Sequence, residues 1–274
     1  MRSETLPLEK QISIILPSFR DNRILLAIKS IRMFDDVSAV RIIVIDGGSD
    51  TTLVDEIRTA LNNDDILVAE PDQGIFDALN KGLERVNTPY VGWIGSDDLF
   101  TGEVLASEVI HTLRNHDVFV ASQYLVAGRR IRRLTQSFFA GHGLVRFGLH
   151  NPHYSTFGRA ELFCKYKFAL KNISSDIGYF LNVFAEDIKI AYTNKIAMLQ
   201  EEGGFSTQSK LRSIAINRSA YHHYREHNGP ILSTICVFLK VGYKVLSLIL
   251  FKLAPEYWDQ KYPKVAELAK ISTA

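Results

Sequence analysis

Between residues 12 and 94, short apolar runs alternate with stretches of helical periodicity, and few folds accommodate that alternation. Ile12-Ser-Ile-Ile-Leu16 is closed by Pro17-Ser18. Ile24, Leu25, Ile28 and Ile31 then recur at helical spacing over 21–33, with Asp21 placed to cap the helix. Arg41-Ile-Ile-Val-Ile-Asp46 ends on a carboxylate, and Leu53, Val54, Ile57 and Leu61 share one face of the next helix, 51–61. A short run at 66–69, a helix over 74–86 and the run Tyr90-Val-Gly-Trp-Ile94 complete the series. Apolar runs without polar alternation are strands buried on both faces, and strands joined through helices make βαβ units and a parallel sheet.

Right-handed crossovers set the carboxyl ends of such strands along one rim. Ser18, Asp46, Glu70 and the adjacent pair Asp97 and Asp98 all lie just past strand ends, so the rim gathers hydroxyl and carboxylate groups from distant parts of the chain. Gly95-Ser-Asp-Asp98 is its sharpest member, a buried strand that stops and presents two acids. That suits a ligand or a cation at a sheet edge. A strand closing in a polar turn uses the same residue types for local hydrogen bonds.

Bulk charge gives no reason to expect nucleic acid, since 32 basic residues face 30 acidic ones. With 274 residues, 46% of them hydrophobic, the chain can bury the core of one large domain or of a domain with an appendage. Cys164 and Cys236 are too few and too isolated for a disulfide framework or a zinc cage, which fits a reducing compartment. The polar stretch 1–11 has no apolar signal-peptide core.

Past residue 100 the spacing predicts a helix over 103–115 and a strand over 118–124. Gly128-Arg-Arg-Ile-Arg-Arg133 reads as a solvated hairpin, with an anion- or membrane-facing patch as the alternative. The segment 141–154 reads as a loop. Asp176 precedes the stripe Ile177, Phe180, Leu181 and Phe184 and is placed as a helix cap. After an acidic turn at 201–206 comes a polar helix over 207–227, whose adjacent His222 and His223 point to different sides and read as surface residues.

Over 230–254, Ser233, Lys240, Lys244 and Ser247 fall in one narrow stripe at about 100° per residue, and Ile, Leu, Val and Phe fill most of the rest. This pattern suits a helix lying in a membrane interface. Packing on the domain or on a second copy of the chain is the alternative, and the lysines weigh against a full span.

Ile14-Ile-Leu-Pro-Ser-Phe19, Val44-Ile-Asp-Gly-Gly-Ser-Asp50, Glu70-Pro-Asp-Gln-Gly-Ile-Phe-Asp-Ala-Leu-Asn-Lys-Gly82 and Gly95-Ser-Asp-Asp98 together resemble family 2 glycosyltransferases. The likeness runs on through His153-Tyr-Ser-Thr-Phe157, Ser174-Ser-Asp176 and Gly203-Gly-Phe-Ser206, so it covers about 11–206 and leaves the tail uncovered. These blocks are similar to those of bacterial enzymes that build exopolysaccharide, capsule or O-antigen.

The resemblance implies an α/β fold of the A-type glycosyltransferase kind, a Rossmann-like, mostly parallel central sheet flanked by helices. It divides the chain into a transferase domain, 1–206, and a helical C-terminal extension, 207–274. Within the domain, about 11–100 would bind the nucleotide sugar and 101–206 the acceptor. It also implies an inverting transfer from a nucleotide-diphosphate sugar, UDP being the family's usual nucleotide, assisted by Mn²⁺ or Mg²⁺.

By the same resemblance Asp98 matches the metal-ligating acid and Asp97 the position beside ribose and phosphates. Ser96 stands where relatives carry a further acid, which leaves a single firm metal ligand and makes the diphosphate supply the remaining oxygens. Asp46 matches the acid that contacts the base, with Pro17, Ser18 and Phe19 lining the same pocket. Glu70 and Lys81 fall near the nucleotide, Lys81 as a counter-charge to phosphate. Asp176 matches the general base, and His153 falls near the acceptor or the diphosphate.

The expected acceptor is a lipid-linked saccharide at the inner leaflet of the cytoplasmic membrane, met by a peripheral enzyme on its cytoplasmic face, with homodimerisation through the apolar tail as a further option. Two readings compete. A degenerate transferase-like scaffold has no chemical reason to keep Asp46, Asp98 and Asp176 together. A sugar nucleotidyltransferase needs a glycine-rich loop after the first strand, and Pro17-Ser-Phe-Arg-Asp21 contains no glycine.

Overall fold

The structure is a computed structural model that describes residues 10–33, 37–142, 144, 152–202 and 210–271. The polar amino-terminal stretch, much of the 141–154 loop and the Gly203-Gly-Phe-Ser206 block lie outside the described residues. In chain order the first half contains β1 (Ile12–Ser18), α1 (Ile24–Ile31), β2 (Val40–Asp46), α2 (Thr51–Ala60), β3 (Ile66–Ala69), α3 (Ile75–Leu83) and β4 (Tyr90–Trp93). The second half contains β5 (Leu99–Phe100), α4 (Ala106–Leu113), β6 (Val118–Ala127), β7 (Arg130–Thr135), α5 (Phe138–Gly141), β8 (Thr156–Arg159), α6 (Ala160–Phe163), α7 (Ser175–Val183) and β9 (Ile190–Glu201). Four helices follow: α8 (Lys210–Asn228), α9 (Pro230–Leu253), α10 (Trp258–Lys261) and α11 (Pro263–Ile271).

All the strands form one sheet, in the order β3-β2-β1-β4-β8-β6-β9-β5, with β7 paired to β6 beyond β8. The first four are parallel, as their alternation with helices requires. They are continuous apolar runs because both faces are covered. Ile14, Leu16, Ile42 and Val44 pack under α1, α2 and α4, while Ile15, Ile43, Ile45 and Trp93 pack against α3, α6 and α7. Antiparallel β8 joins β4 to the second half, so the two halves share one sheet. Sequence periodicity did not reveal β8 or β9. β8 is short, and β9 carries exposed polar residues through its first half, where no apolar pattern marks it.

Helix α3 lies close on the sheet at Gly82, where a Cβ would stand 2.3 Å from Ile15 Cγ2. Such contact admits no side chain without displacing either the helix or β1.

The carboxyl-terminal helices α8 and α9 form a hairpin about Gly229, whose φ of +75° suits glycine. Leu181 of α7, Ala220 and Tyr224 of α8 and Cys236 on α9 make a small core of their own. Helix α9 is turned with its polar stripe inward: Ser233, Lys240 and Ser247 are buried, while Phe238 is 73% and Leu253 78% exposed. The stretch Ile214–Leu253 is long and apolar enough to cross a membrane by length and composition. His223 corrects the surface expectation for the histidine pair, because its ring sits under Gly178 of α7 and its Nε2 lies 2.8 Å from Asn172 Nδ2. His222 is exposed.

Helix propensity alone would make Gly82→Ala stabilising by about 1 kcal/mol. The Ile15 contact reverses that sign, and a urea titration is expected to show a loss of about 1–3 kcal/mol. A variant as stable as its parent would mean that α3 can lift away from β1.

Candidate active site

The carboxyl ends of the parallel strands carry the polar residues that the sequence singled out. Ser18 and Asp46 end β1 and β2 in register, both buried. Asp46 Oδ1 accepts the N–H groups of Gly48 (3.1 Å) and Ser49 (2.8 Å), and its Oδ2 accepts the Ser49 hydroxyl at 2.6 Å. It therefore closes the β2–α2 turn while lying on the rim. Ser18 Oγ is buried and has no partner among the described residues. Phe19 beside it is 61% exposed, with the Arg20 guanidinium 5.1 Å from its ring centre. An open aromatic face next to a buried hydroxyl and Pro17 is a surface on which a planar base can stack.

On the flank, Lys81 Nζ is 3.0 Å from Glu70 and 3.6 Å from Asp77, and donates to the Pro71 carbonyl at 2.9 Å. Glu70 itself is exposed. Asp72 leans over Gly47 so closely that a Cβ there would be 2.2 Å from its Oδ2. Burial pushes the Asp72 carboxyl above its ordinary range, with the Gly74 N–H and Lys81 opposing.

At the end of β4, Ser96 donates its hydroxyl to Asp21 at 3.0 Å. Asp21 does not cap α1, contrary to the sequence expectation. Its carboxylate is engaged by Arg23 Nε (2.8 Å) and Nη2 (2.9 Å), and the helix starts without a side-chain cap. Arg23 also reaches to 3.7 Å from Asp97. Asp98 is 2% exposed and accepts the Glu201 N–H at 3.0 Å. Burial first, and then the charge of Asp97, push its carboxyl well above the usual carboxylate range. Burial raises Asp97 and Glu201 as well, with Arg23 opposing in both.

Acids held together out of water, with one guanidinium between them, are relieved by a cation. Their oxygens suit a hard divalent ion. Among the described residues no three His, Cys, Asp or Glu side chains are arranged to hold a metal unaided.

Asp176 sits in the first turn of α7, half-buried, and does not cap it; the N-cap is Ser174, whose hydroxyl bonds Ser219 at 2.7 Å. The carboxylate of Asp176 makes no hydrogen bond or ion pair among the described residues. Tyr154 ties it to the rim. Its phenol is pushed well above the ordinary tyrosine range by burial, and further by the charges of Asp98, Asp97 and Asp176. One side chain is thus within electrostatic reach of all three acids. The His153 ring lies against Tyr154, tilted by 42° with ring centres 4.2 Å apart.

Burial pulls the ammonium of Lys240 on α9 down to about 8, against the opposing pull of Asp176. Arg133 is buried too, which corrects the reading of 128–133 as a wholly solvated hairpin. β7 is covered by α9, so alternate residues of the hairpin turn inward. Sequence reasoning missed Tyr154 and the roles of Lys240 and Arg133. The only available signal was the polar stripe on an otherwise apolar helix.

The family model described as Glycosyl transferase family 2 matches residues 13–174. The chain belongs to this family. Among solved structures with the same fold, the mannosyltransferase PcManGT of Pyrobaculum calidifontis, in complex with GDP-Man and Mn²⁺, is 13% identical with a TM-score of 0.62, covering 98% of this chain and 82% of its own. TarS 1-349 of S. aureus in complex with UDP-GlcNAc is 17% identical with a TM-score of 0.60, covering 85% of this chain and 71% of its own. The chain spans 43% of the longer TarS structure. At these identities the likeness fixes the A-type glycosyltransferase fold. A search of curated proteins returns no match.

Because the folded state holds the Asp98 proton more tightly than the unfolded chain does, ionising Asp98 costs stability as pH rises above the ordinary carboxyl range. Metal-free Asp98→Asn is therefore expected to melt above the parent at pH 8, with the gap closing as pH falls toward 4. A lower melting temperature at pH 8 would mean that the Glu201 contact outweighs the buried charge.

Proposed function

We propose that this family 2 glycosyltransferase performs an inverting transfer from a nucleotide-diphosphate sugar to a hydroxyl of a lipid-linked saccharide during cell-surface polysaccharide assembly. The observation that carries the reading is that Asp97 and Asp98, past the end of β4, and Asp176, in the first turn of α7, all lie near enough to Tyr154 for their charges to raise its phenol. The base would lie on Phe19, with Ser18 and Asp46 beneath it, which assigns residues 11–100 to the donor and 101–206 to the acceptor. UDP is the preferred nucleotide. Of the neighbours, TarS 1-349 was solved with UDP-GlcNAc and PcManGT with GDP-Man.

A divalent cation bound by Asp98, with Asp97 beside it, would neutralise the charge that develops on the departing diphosphate. The rest of the chemistry belongs to side chains. Asp176 takes the proton from the acceptor hydroxyl while that oxygen bonds to the anomeric carbon. The bond from that carbon to the diphosphate oxygen breaks, its electron pair leaves with the nucleoside diphosphate, and attack from the opposite face inverts the centre. Arg23, 3.7 Å from Asp97, is placed to steady the phosphates.

The outward apolar face of α9 supports peripheral association with the cytoplasmic face of the membrane. A second copy of the chain seated on that face is the competing option, and it would appear as a dimer in detergent-free solution.

Asp176→Asn tests the catalytic assignment. It is expected to keep the thermal shift given by UDP-sugar with Mn²⁺, while transfer slows by about 10²–10⁴-fold. Turnover within a few-fold of the parent would remove Asp176 from the mechanism. A panel of UDP, GDP and dTDP sugars, each with and without Mn²⁺, should give its largest shift with UDP and metal together.

A further inference from the structure

The inward face of α9 buries cations that the transfer chemistry above does not use. Lys240 is 6% and Arg133 7% exposed, and Lys244, one turn along α9, is half-buried. The three are close enough that Arg133 bears on both lysines and Lys244 on Lys240. None of the three side chains has a hydrogen bond or an ion pair among the described residues, and Arg133 Nε is buried without a partner. The carboxylates within reach are Asp176, which faces Lys240, and Glu202, which faces Arg133 and Lys244. Glu202 is already 3.6 Å from Arg132. Four cations thus meet two carboxylates, a balance that favours an anion entering from outside.

Beside this cluster lies a cavity of about 340 Å³ between β7 and α9, with Leu134, Tyr243, Leu246, Leu250 and Phe251 in its wall together with Glu256, whose carboxylate is paired with Lys261. Tyr243 links the two features. Its hydroxyl donates to the Leu134 carbonyl at 2.8 Å, and its phenol feels the charge of Arg133. Leu246 and Leu250 are largely exposed on their other side, so the cavity opens onto the apolar outer face of α9. Buried cations next to a cavity with largely apolar walls are complementary to a molecule with an anionic head and a hydrocarbon tail.

We propose that Arg133, Lys240 and Lys244 hold the phosphate or diphosphate of the lipid-linked acceptor, and that its hydrocarbon chain leaves through the groove between β7 and α9. The proposal rests on the reading of Asp176 as the acceptor's base. Cys236 of α9 packs on Leu181 of α7, and Lys240, one turn beyond Cys236, feels the charge of Asp176, so the cluster is placed on the α7 side, that of the acceptor. The cations are covered rather than displayed, so a phospholipid head group lying in the plane of a bilayer does not meet them. A phosphate that rises from the membrane into the protein does. Docked in this way, the lipid anchor would set the distance from membrane to reacting hydroxyl.

Farnesyl diphosphate in detergent micelles is the probe, compared with farnesol and with inorganic diphosphate on the full chain. Farnesyl diphosphate is expected to bind at least tenfold more tightly than either, and Lys240→Met and Lys244→Met each to weaken it at least fivefold. UDP with Mn²⁺ should bind all three proteins alike, which also reports that they are folded. Lys244→Met, at a half-exposed position, keeps the test open if Lys240→Met fails to fold. Equal binding of farnesol would overturn the proposal, as would unchanged affinity in a folded lysine variant. Displacement of the probe by UDP would place the anion in the donor site, and displacement by phosphatidylglycerol vesicles would reduce the cluster to a surface contact; either would also overturn it. A parent protein that binds farnesyl diphosphate but no nucleotide would instead refute the donor-site reading.

Discussion

Carboxylates crowded at the buried end of a strand are the constraint around which this molecule is arranged. Asp98 is almost sealed from water, Asp97 is its neighbour, and Asp21 and Glu201 stand within reach. A protein selected for stability alone would replace such a group, because each charge must either stay protonated or be compensated. Arg23 compensates in part by bridging Asp21 and Asp97. The rest is left to what binds, so the fold holds an unfavourable charge arrangement in readiness for a cation and a diphosphate. The sheet makes this tolerable: Asp98 is held by the Glu201 amide at the end of β9, in a loop packed between two strands.

The second half of the molecule repeats that logic with the sign reversed. An ordinary amphipathic helix puts its lysines in water and its leucines in the core. In α9 Ser233, Lys240 and Ser247 turn inward while Leu246, Leu250 and Leu253 turn outward, an orientation that costs desolvation of the Lys240 ammonium. Asp176 acts together with the rim acids on Tyr154 and also on Lys240 of the cation cluster. The carboxylate common to both groups is the one that handles the proton in the proposed reaction.

Much of this was legible in the sequence, and the limits have physical causes. The parallel half could be read because each strand is apolar on both faces and each crossover helix has a clear stripe. The rim could be read because right-handed crossovers place Ser18, Asp46 and Asp98 at one edge whatever the side-chain detail. The mixed half was harder: β8 is too short for periodicity, and the first half of β9 alternates without a buried face. Asp21 looked like a cap because aspartate often is one; no local pattern could disclose that Arg23 and Ser96 would claim its carboxylate. Lys240 and the polar stripe were visible, but only tertiary packing reveals which side of a helix meets the protein.

Cys236 adds a property of its own. Its thiol is sealed in the seam that seats α9 on α7 and α8, whereas Cys164 is open to solvent. An alkylating reagent would consume the two at different rates, the slower one limited by how often the hairpin lets go of the sheet domain. The native chain therefore carries a built-in clock for helix detachment, readable without any label being introduced.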